Sequence, residues 1–127
     1  PLQRKDFAEI VQQLSTLPVK LLLTTNGVLL DMHLHTLLNN NVHQVNISLD
    51  TLKKEKYKRI TKRDQFDRVW ANIMLLLQHR FDVKLNVVAV KNEVEDELID
   101  FINLTRTLPI QIRFIEFMPF AGNKWDR

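Results

Sequence analysis

Thr24, Asn26, Asn46, Ser48, Asp50, Lys84 and Asn86 are the residues whose types and spacing could do chemistry together. They recur at alternate positions in "LLLTTN" (21–26), "VNISLD" (45–50) and "VKLNVV" (83–88). A period of two is the period of a β-strand, so each polar set falls on one face of its strand. Hydroxyls, amides, a carboxylate and an ammonium on the same side of successive strands can converge on a polar ligand. Asp50 and Glu116 also offer an acid and a base, but spacing alone supplies no geometry for a pair. His33 and His35 are two apart and do not face together on a helix, so surface or packing roles are expected for them. The same roles are expected for His43 and His79, and no metal site is predicted.

The rest of the 127-residue chain must position those strands. "KDFAEIVQQLSTL" places Phe7, Ile10, Val11, Leu14 and Leu17 at helical spacing, with Asp6 as N-cap. Strand patterns follow at 19–26 and in "QVNISLD", separated by a short helix at 31–41 that an Asn ends. "KKEKYKRI" is a brief helix. "DQFDRVWANIMLLLQHR" carries an apolar stripe of Phe66, Val69, Trp70, Ile73, Met74 and Leu77, so Trp70 and Met74 are expected in the core. A strand at 83–90, a helix over 95–108 with Leu98, Ile99 and Ile102 inward, and the strand "IQIRFIEFMPF" complete the order α-β-α-β-α-α-β-α-β. Alternating strands and helices imply βαβ units and a parallel sheet, an α/β fold. Central strands of an open doubly wound sheet are near-continuous apolar runs. The recurrent polar face fits the lumen of a (β/α) barrel better, with the site at the C-terminal ends of the strands. Four strands cannot close a barrel. The expectation is therefore one partial (β/α) barrel domain over residues 1–127, about four parallel strands with outer helices, truncated at both ends. Pro1 in place of an initiating Met fits a piece of a longer protein.

Composition narrows the function classes. There is no cysteine, which excludes a disulfide framework and any thiolate metal site within these residues. No apolar run reaches the roughly 18 residues of a membrane span, and no secretory signal is visible. The net charge is +3. The densest basic stretch, "KKEKYKR" at 53–59, is interrupted by Glu55 and reads as a solvated helix face rather than a nucleic-acid patch. Neither a nucleic acid nor a membrane is expected as partner.

"LTTNGVLL", "VNISLDTL", "RITKRDQFDRV", "VKLNVV" and "IRFIEFMPFAGNKW" follow one another as in the molybdenum cofactor biosynthesis protein A family. The chain resembles that family over nearly its whole length. "RFIEFMPF" followed by "GNKW" is the most specific part. "TTNG" and "SLD" are shared more widely in the radical S-adenosylmethionine (SAM) superfamily. The resemblance implies a GTP 3′,8-cyclase with an incomplete six-stranded barrel, using S-adenosylmethionine and two 4Fe–4S clusters. In that family a 5′-deoxyadenosyl radical removes the 3′ hydrogen of GTP, and C3′ then attacks C8 of guanine. The cluster ligands are an N-terminal CxxxCxxC and a C-terminal Cys triplet, both absent here, so these 127 residues alone are expected to be inactive.

The resemblance assigns Thr24, Lys84 and Arg113 to GTP, and Ser48 and Met118 to S-adenosylmethionine. It names no catalytic residue and no metal ligand within the chain. Arg113 and Met118 have opposite strand parity, which requires a bulge or a strand end between them. Where the family carries Gly, this chain has Asn41, Arg80 and Asn92, and where it carries Asn in the following loop, Val94. Asn tolerates positive φ; Arg80 does so less easily. The implied partners are GTP, a downstream cyclic pyranopterin monophosphate synthase and a second copy in a homodimer. The implied location is the bacterial cytoplasm, or the mitochondrial matrix in a eukaryote. Two alternatives stay open: a non-radical barrel enzyme acting on a phosphorylated metabolite, and a noncatalytic binding module. An upstream CxxxCxxC distinguishes the radical enzyme from the first, and a natural reading frame that ends near Arg127 would favour the second.

Overall fold

The computed structural model describes residues 1–90 and 94–118. Asn92 lies outside the described residues, as do the "PF" and "GNKW" of the C-terminal motif. Helices α1 (Phe7–Ser15), α2 (Leu30–Asn39), α3 (Lys54–Thr61), α4 (Phe66–Gln78) and α5 (Leu98–Thr107) alternate with strands β1 (Leu23–Thr25), β2 (Gln44–Ser48), β3 (Asp82–Ala89) and β4 (Ile110–Glu116). A 3₁₀ turn, Glu95–Glu97, leads into α5. The strands form one parallel sheet in the order β1-β2-β3-β4.

That order decides between the two parallel architectures. A doubly wound sheet reverses its strand order at a switch point, which puts helices on both faces. Here the order follows the chain without reversal. Successive right-handed crossovers of one sense place the helices together on one face. The sheet is the wall of a partial (β/α) barrel.

Register sorts the side chains. Val45, Val83 and Ile110 align, as do Thr25, Ile47, Leu85 and Ile112. On the sheet, Val45, Ile47, Val83 and Leu85 are fully buried, joined by Leu30 and Leu37 of α2 and Val69, Ile73 and Leu76 of α4. Each such side chain contributes roughly 1.5–3 kcal/mol on burial. A second apolar cluster joins Val87, Val94 and Phe101 beneath α5. Val94, in the family's Asn position, thus becomes a core residue.

Several local expectations are corrected. β1 spans three residues rather than 19–26, because its ladder with β2 begins only at Leu23. Asp6 makes no side-chain cap bond; its carboxylate pairs with Arg4 at 2.6 Å. Leu14 of α1 is exposed, as is Leu17, which lies past the helix end at Ser15. In α4 the buried face is Val69, Asn72, Ile73 and Leu76, while Met74 is exposed; Trp70, half-buried on Phe66, does pack against the core as expected. In α5, Phe101 points inward, whereas Ile99 and Ile102 are exposed. An apolar stripe wider than the contact left the choice of edge to packing. His33 has the expected packing role: its ring meets Phe7 edge-on at 4.9 Å, and its Nε2 is 2.9 Å from the Leu2 carbonyl oxygen.

Two helices end alike. Asn41 and Arg80 adopt left-handed φ of 56° and 58°. Val42 N–H donates to the Leu37 carbonyl at 2.9 Å, and Phe81 N–H to that of Leu76 at 3.0 Å, each a six-to-one closure around an apolar contact. The asparagine suits this conformation; the arginine does not. Arg80→Gly should raise stability by about 0.5–1 kcal/mol, because lost strain exceeds the added backbone entropy. Thermal unfolding would read a rise of a few degrees. An unchanged or lower midpoint would refute the strain at Arg80.

Candidate functional site

The face of the sheet opposite the helices is polar in two aligned rows. Thr24, Asn46, Lys84 and Gln111 form the first. Ser48, Asn86 and Arg113 form the second. The structure therefore brings four of the five expected contact residues, Thr24, Ser48, Lys84 and Arg113, onto one surface. Thr24, Ser48 and Arg113 are exposed, and Lys84 is half-buried among them. Neither Lys84 nor Arg113 pairs with a carboxylate among the described residues. Two uncompensated cations beside hydroxyls and amides suit an anionic ligand with further polar groups.

The parity conflict between Arg113 and Met118 resolves without a bulge. The β3–β4 register is continuous from Ile110 to Glu116, so Arg113 keeps the polar face. Met118 lies past the strand end and is 75% exposed, where strand parity no longer applies. Glu116 takes the parity of Phe114, whose ring meets Phe101 of α5. It thus turns to the helix side of the sheet. Asp50 accepts a hydrogen bond from the Val88 backbone N–H at 2.9 Å, which ties the loop after β2 to β3.

At the C-terminal ends of β1 and β2 two clefts open. One, of about 290 Å³, is lined by Asn26, Ser48, Asp50, Thr51, Tyr57 and Arg63, among others. The second, about 460 Å³, shares Asn26 and Arg63 and extends to Pro1 and Gln3. Gly27 shapes this rim. Its φ is +83°, and a Cβ there would sit 3.1 Å from Ile47 Cγ2 and 3.2 Å from Val69 Cγ1. Only glycine fits both the conformation and the space. Asn72 of α4 secures the turn, donating to the carbonyls of Gly27 at 2.8 Å and Val28 at 3.1 Å.

A buried carboxylate secures the other side of the cleft. Glu97 is fully buried and accepts from Thr51 Oγ1 at 2.8 Å and Leu52 N–H at 2.7 Å. Lys56 Nζ lies 2.9 Å from it and 3.2 Å from Asp96. Burial alone would raise the Glu97 pKa; the hydrogen bonds from Lys56, Leu52 and Thr51 outweigh it and hold the carboxyl below its ordinary value. Burial likewise opposes the charge on Lys56, but Glu97 and Asp96 hold its pKa above the ordinary value. Lys56 is thus part of a buried network, a correction to the solvated-face reading of this helix. Lys53 and Lys58 do pair at the surface, with Asp96 and Asp64, as does Lys54 with Asp67. Arg63 is different: it lines both clefts and makes no ion pair among the described residues.

Sequence reasoning missed Asn72, Glu97 and Arg63. Asn72 had a signal, a polar residue three after Val69 on the apolar side of α4. Glu97 in "EDELID" and Arg63 in "ITKRD" had none, because nothing local separates them from their charged neighbours.

The radical SAM superfamily model matches residues 1–105. The chain is 43% identical over 127 residues to molybdenum cofactor biosynthesis protein moc-5 of Caenorhabditis elegans, covering 98% of this chain and 21% of that protein. It is 43% identical over 129 residues to the mitochondrial GTP 3′,8-cyclase of Arabidopsis thaliana, covering 99% of this chain and 33% of that enzyme. To a GTP 3′,8-cyclase of Clostridium perfringens it is 38% identical over 126 residues, covering 98% of this chain and 39% of that enzyme. The chain thus spans between about a fifth and two-fifths of the length of these relatives. With a match across most of its length and a sequentially ordered parallel sheet that turns a polar face away from its helices, the chain belongs to the radical SAM superfamily.

Proposed function

We propose that the full-length protein containing these residues is a GTP 3′,8-cyclase of molybdenum cofactor biosynthesis. The observation that carries this reading is the register that sets Thr24, Ser48, Lys84 and Arg113 side by side on the helix-free face. The names of the similar proteins point to the same reaction. Lys84 and Arg113 hold triphosphate oxygens, and Thr24 gives the nucleotide a hydroxyl contact. Ser48 and Met118 border S-adenosylmethionine, beside the cleft at the ends of β1 and β2. That cleft fits the cofactor's chemistry: it combines the Ser48 hydroxyl, the Asp50 carboxylate and the Arg63 guanidinium with the apolar flank of Val28, Leu49 and Ile60.

When bound beside a reduced iron–sulfur cluster, S-adenosylmethionine supplies the carbon radical that starts such reactions. The chain's own residues bind, orient and exclude water, which protects reactive species from competing donors. With no cysteine among the 127 residues, the thiolates for two 4Fe–4S clusters come from outside them. A cyclic pyranopterin monophosphate synthase takes the product, and the enzyme works as a homodimer. Its place is the bacterial cytoplasm, or the mitochondrial matrix in a eukaryote.

The test is turnover of the reconstituted full-length protein under anaerobic conditions with GTP, S-adenosylmethionine and a reductant. Cyclised GTP, identified by mass and by loss of the 3′ hydrogen, is the expected product. The isolated 127 residues should yield none. Turnover by them alone, or a full-length protein that consumes S-adenosylmethionine without touching GTP, would overturn the assignment.

A further inference from the structure

The ladder between β1 and β2 ends at Thr25, aligned with Ile47. Thr24 is therefore held by its neighbouring strand, while the residues that follow β1 are not. Among those, Asn26 and Val28 line both clefts, so their placement sets the shape of the rim. Within the turn, Gly27 N–H donates to Thr25 Oγ1 at 3.3 Å and Val28 N–H to Asn26 Oδ1 at 3.2 Å. These bonds close the turn on itself; they do not fix it against the fold. Among the described residues, the side-chain hydrogen bonds that tie Gly27 and Val28 to another element come from Asn72, on the buried face of α4.

Asn72 is only 3% exposed, and its amide nitrogen meets three acceptors. They are the Gly27 carbonyl at 2.8 Å, the Val28 carbonyl at 3.1 Å and Asp31 Oδ1 at 3.3 Å. Three acceptors admit the amide in one orientation, nitrogen towards the turn. Asp31 is held in its turn by Arg68, at 3.1 Å from both carboxylate oxygens. The helix that carries Asn72 is anchored by the fully buried Val69, Ile73 and Leu76. The rim is thus referred to the core rather than to the edge strand that ends beside it. We infer that Asn72 is a positioning residue of the cofactor cleft. It grips the Gly27 and Val28 carbonyls from behind and holds Asn26 and Val28 in the orientation that S-adenosylmethionine meets. This rests on the cyclase reading above and deepens it. Thr24 keeps its place in the ladder, so the contact assigned to GTP is spared.

Two variants remove the grip in different ways. Asn72→Asp keeps the shape but turns a carboxylate towards two carbonyls and Asp31, so attraction becomes repulsion. Asn72→Ala takes the donor away and fits any space the asparagine filled. The experiment measures equilibrium binding of S-adenosylmethionine and of GTP to the full-length, reconstituted protein, with thermal midpoints and cluster content recorded alongside. In both variants the affinity for S-adenosylmethionine should fall about tenfold, and that for GTP should stay within about twofold. Ile73→Val is the control for lost stability. It loosens the same helix without touching the turn, so its midpoint should fall while its affinity for S-adenosylmethionine stays that of wild type. A double-mutant cycle tests the route. If Asn72 acts through the rim, Asn72→Ala should cost clearly less affinity when added to Asn26→Ala than when made alone. Equal losses for the two ligands, a loss in Ile73→Val as large as in Asn72→Ala, or strict additivity in the cycle would overturn the inference and leave Asn72 a scaffold residue. So would failure of both Asn72 variants to fold. A wild-type protein that binds neither ligand sinks the cyclase reading and this inference together. Wild-type binding of both ligands, with S-adenosylmethionine affinity unchanged in the Asn72 variants, sinks this inference alone.

Discussion

Replacing Lys84 with alanine in the full-length protein should weaken GTP binding ten- to hundredfold and leave S-adenosylmethionine nearly untouched. Lys84 stands near the start of β3, on the polar face, between Asn46 and Gln111 in register. Half-buried and free of any carboxylate partner among the described residues, its ammonium is left for a ligand. A charge-assisted contact to phosphate in a sheltered site contributes on the order of 1.5–3 kcal/mol. Each 1.4 kcal/mol is tenfold in affinity, which gives the range. Ser48→Ala should do the opposite, acting on S-adenosylmethionine and by less, because its hydroxyl is neutral. Equilibrium binding of each ligand to each variant checks both, with cluster content matched so that misassembly is not read as lost contact. If Lys84→Ala lowers both affinities alike, Lys84 supports the sheet and does not hold phosphate.

The largest effect on stability is expected at Glu97. Removing it by Glu97→Ala leaves Thr51 Oγ1 and Leu52 N–H without their acceptor and Lys56 with only the exposed Asp96. Breaking a buried pair in this way costs on the order of 3 kcal/mol. Glu97→Gln keeps the shape and an acceptor oxygen, so its cost should be smaller, about 1–2 kcal/mol. The pH dependence separates charge from shape. The folded pKa of Glu97 is depressed, so its ionisation stabilises the fold fully above the unfolded value of about 4.3. That contribution is lost as pH falls from there through the folded value. Wild type should therefore lose stability below about pH 4 more steeply than Glu97→Gln, whose group does not titrate. Denaturant unfolding from pH 7 to pH 3 measures this; parallel curves would show that the charge on Glu97 is not stabilising. Loss of this anchor also frees Thr51 and Leu52, so the cleft beside Ser48 should bind more weakly.

The sequence by itself determined the sheet and the sidedness of its strands. Period-two alternation is a local property, and "VNISLD" and "VKLNVV" state it completely: whichever strands they pair with, Asn46, Ser48, Lys84 and Asn86 share parity within their own strand. Whether those parities meet on one surface depends on register between strands far apart in the chain, and that is a tertiary fact. The alignment of Thr24 with Asn46 and Lys84, and of Ser48 with Asn86 and Arg113, came from the ladders. So did the end of β4 at Glu116, which freed Met118 from the parity that spacing seemed to impose. Helix faces were legible only to within their edges. An apolar stripe tells a helix that it has an inside; the neighbouring layer decides whether Met74 or Leu76, Ile99 or Phe101, occupies it. Least legible were the groups that hold the cleft in place. Glu97 is one carboxylate among several in "EDELID", and Asn72 one amide in α4. Their roles arise from partners 45 or 46 positions away, Thr51 and Gly27. Burial makes those partners obligatory, since a carboxylate or amide out of water must be paired, and no local pattern records which residue will be buried beside which.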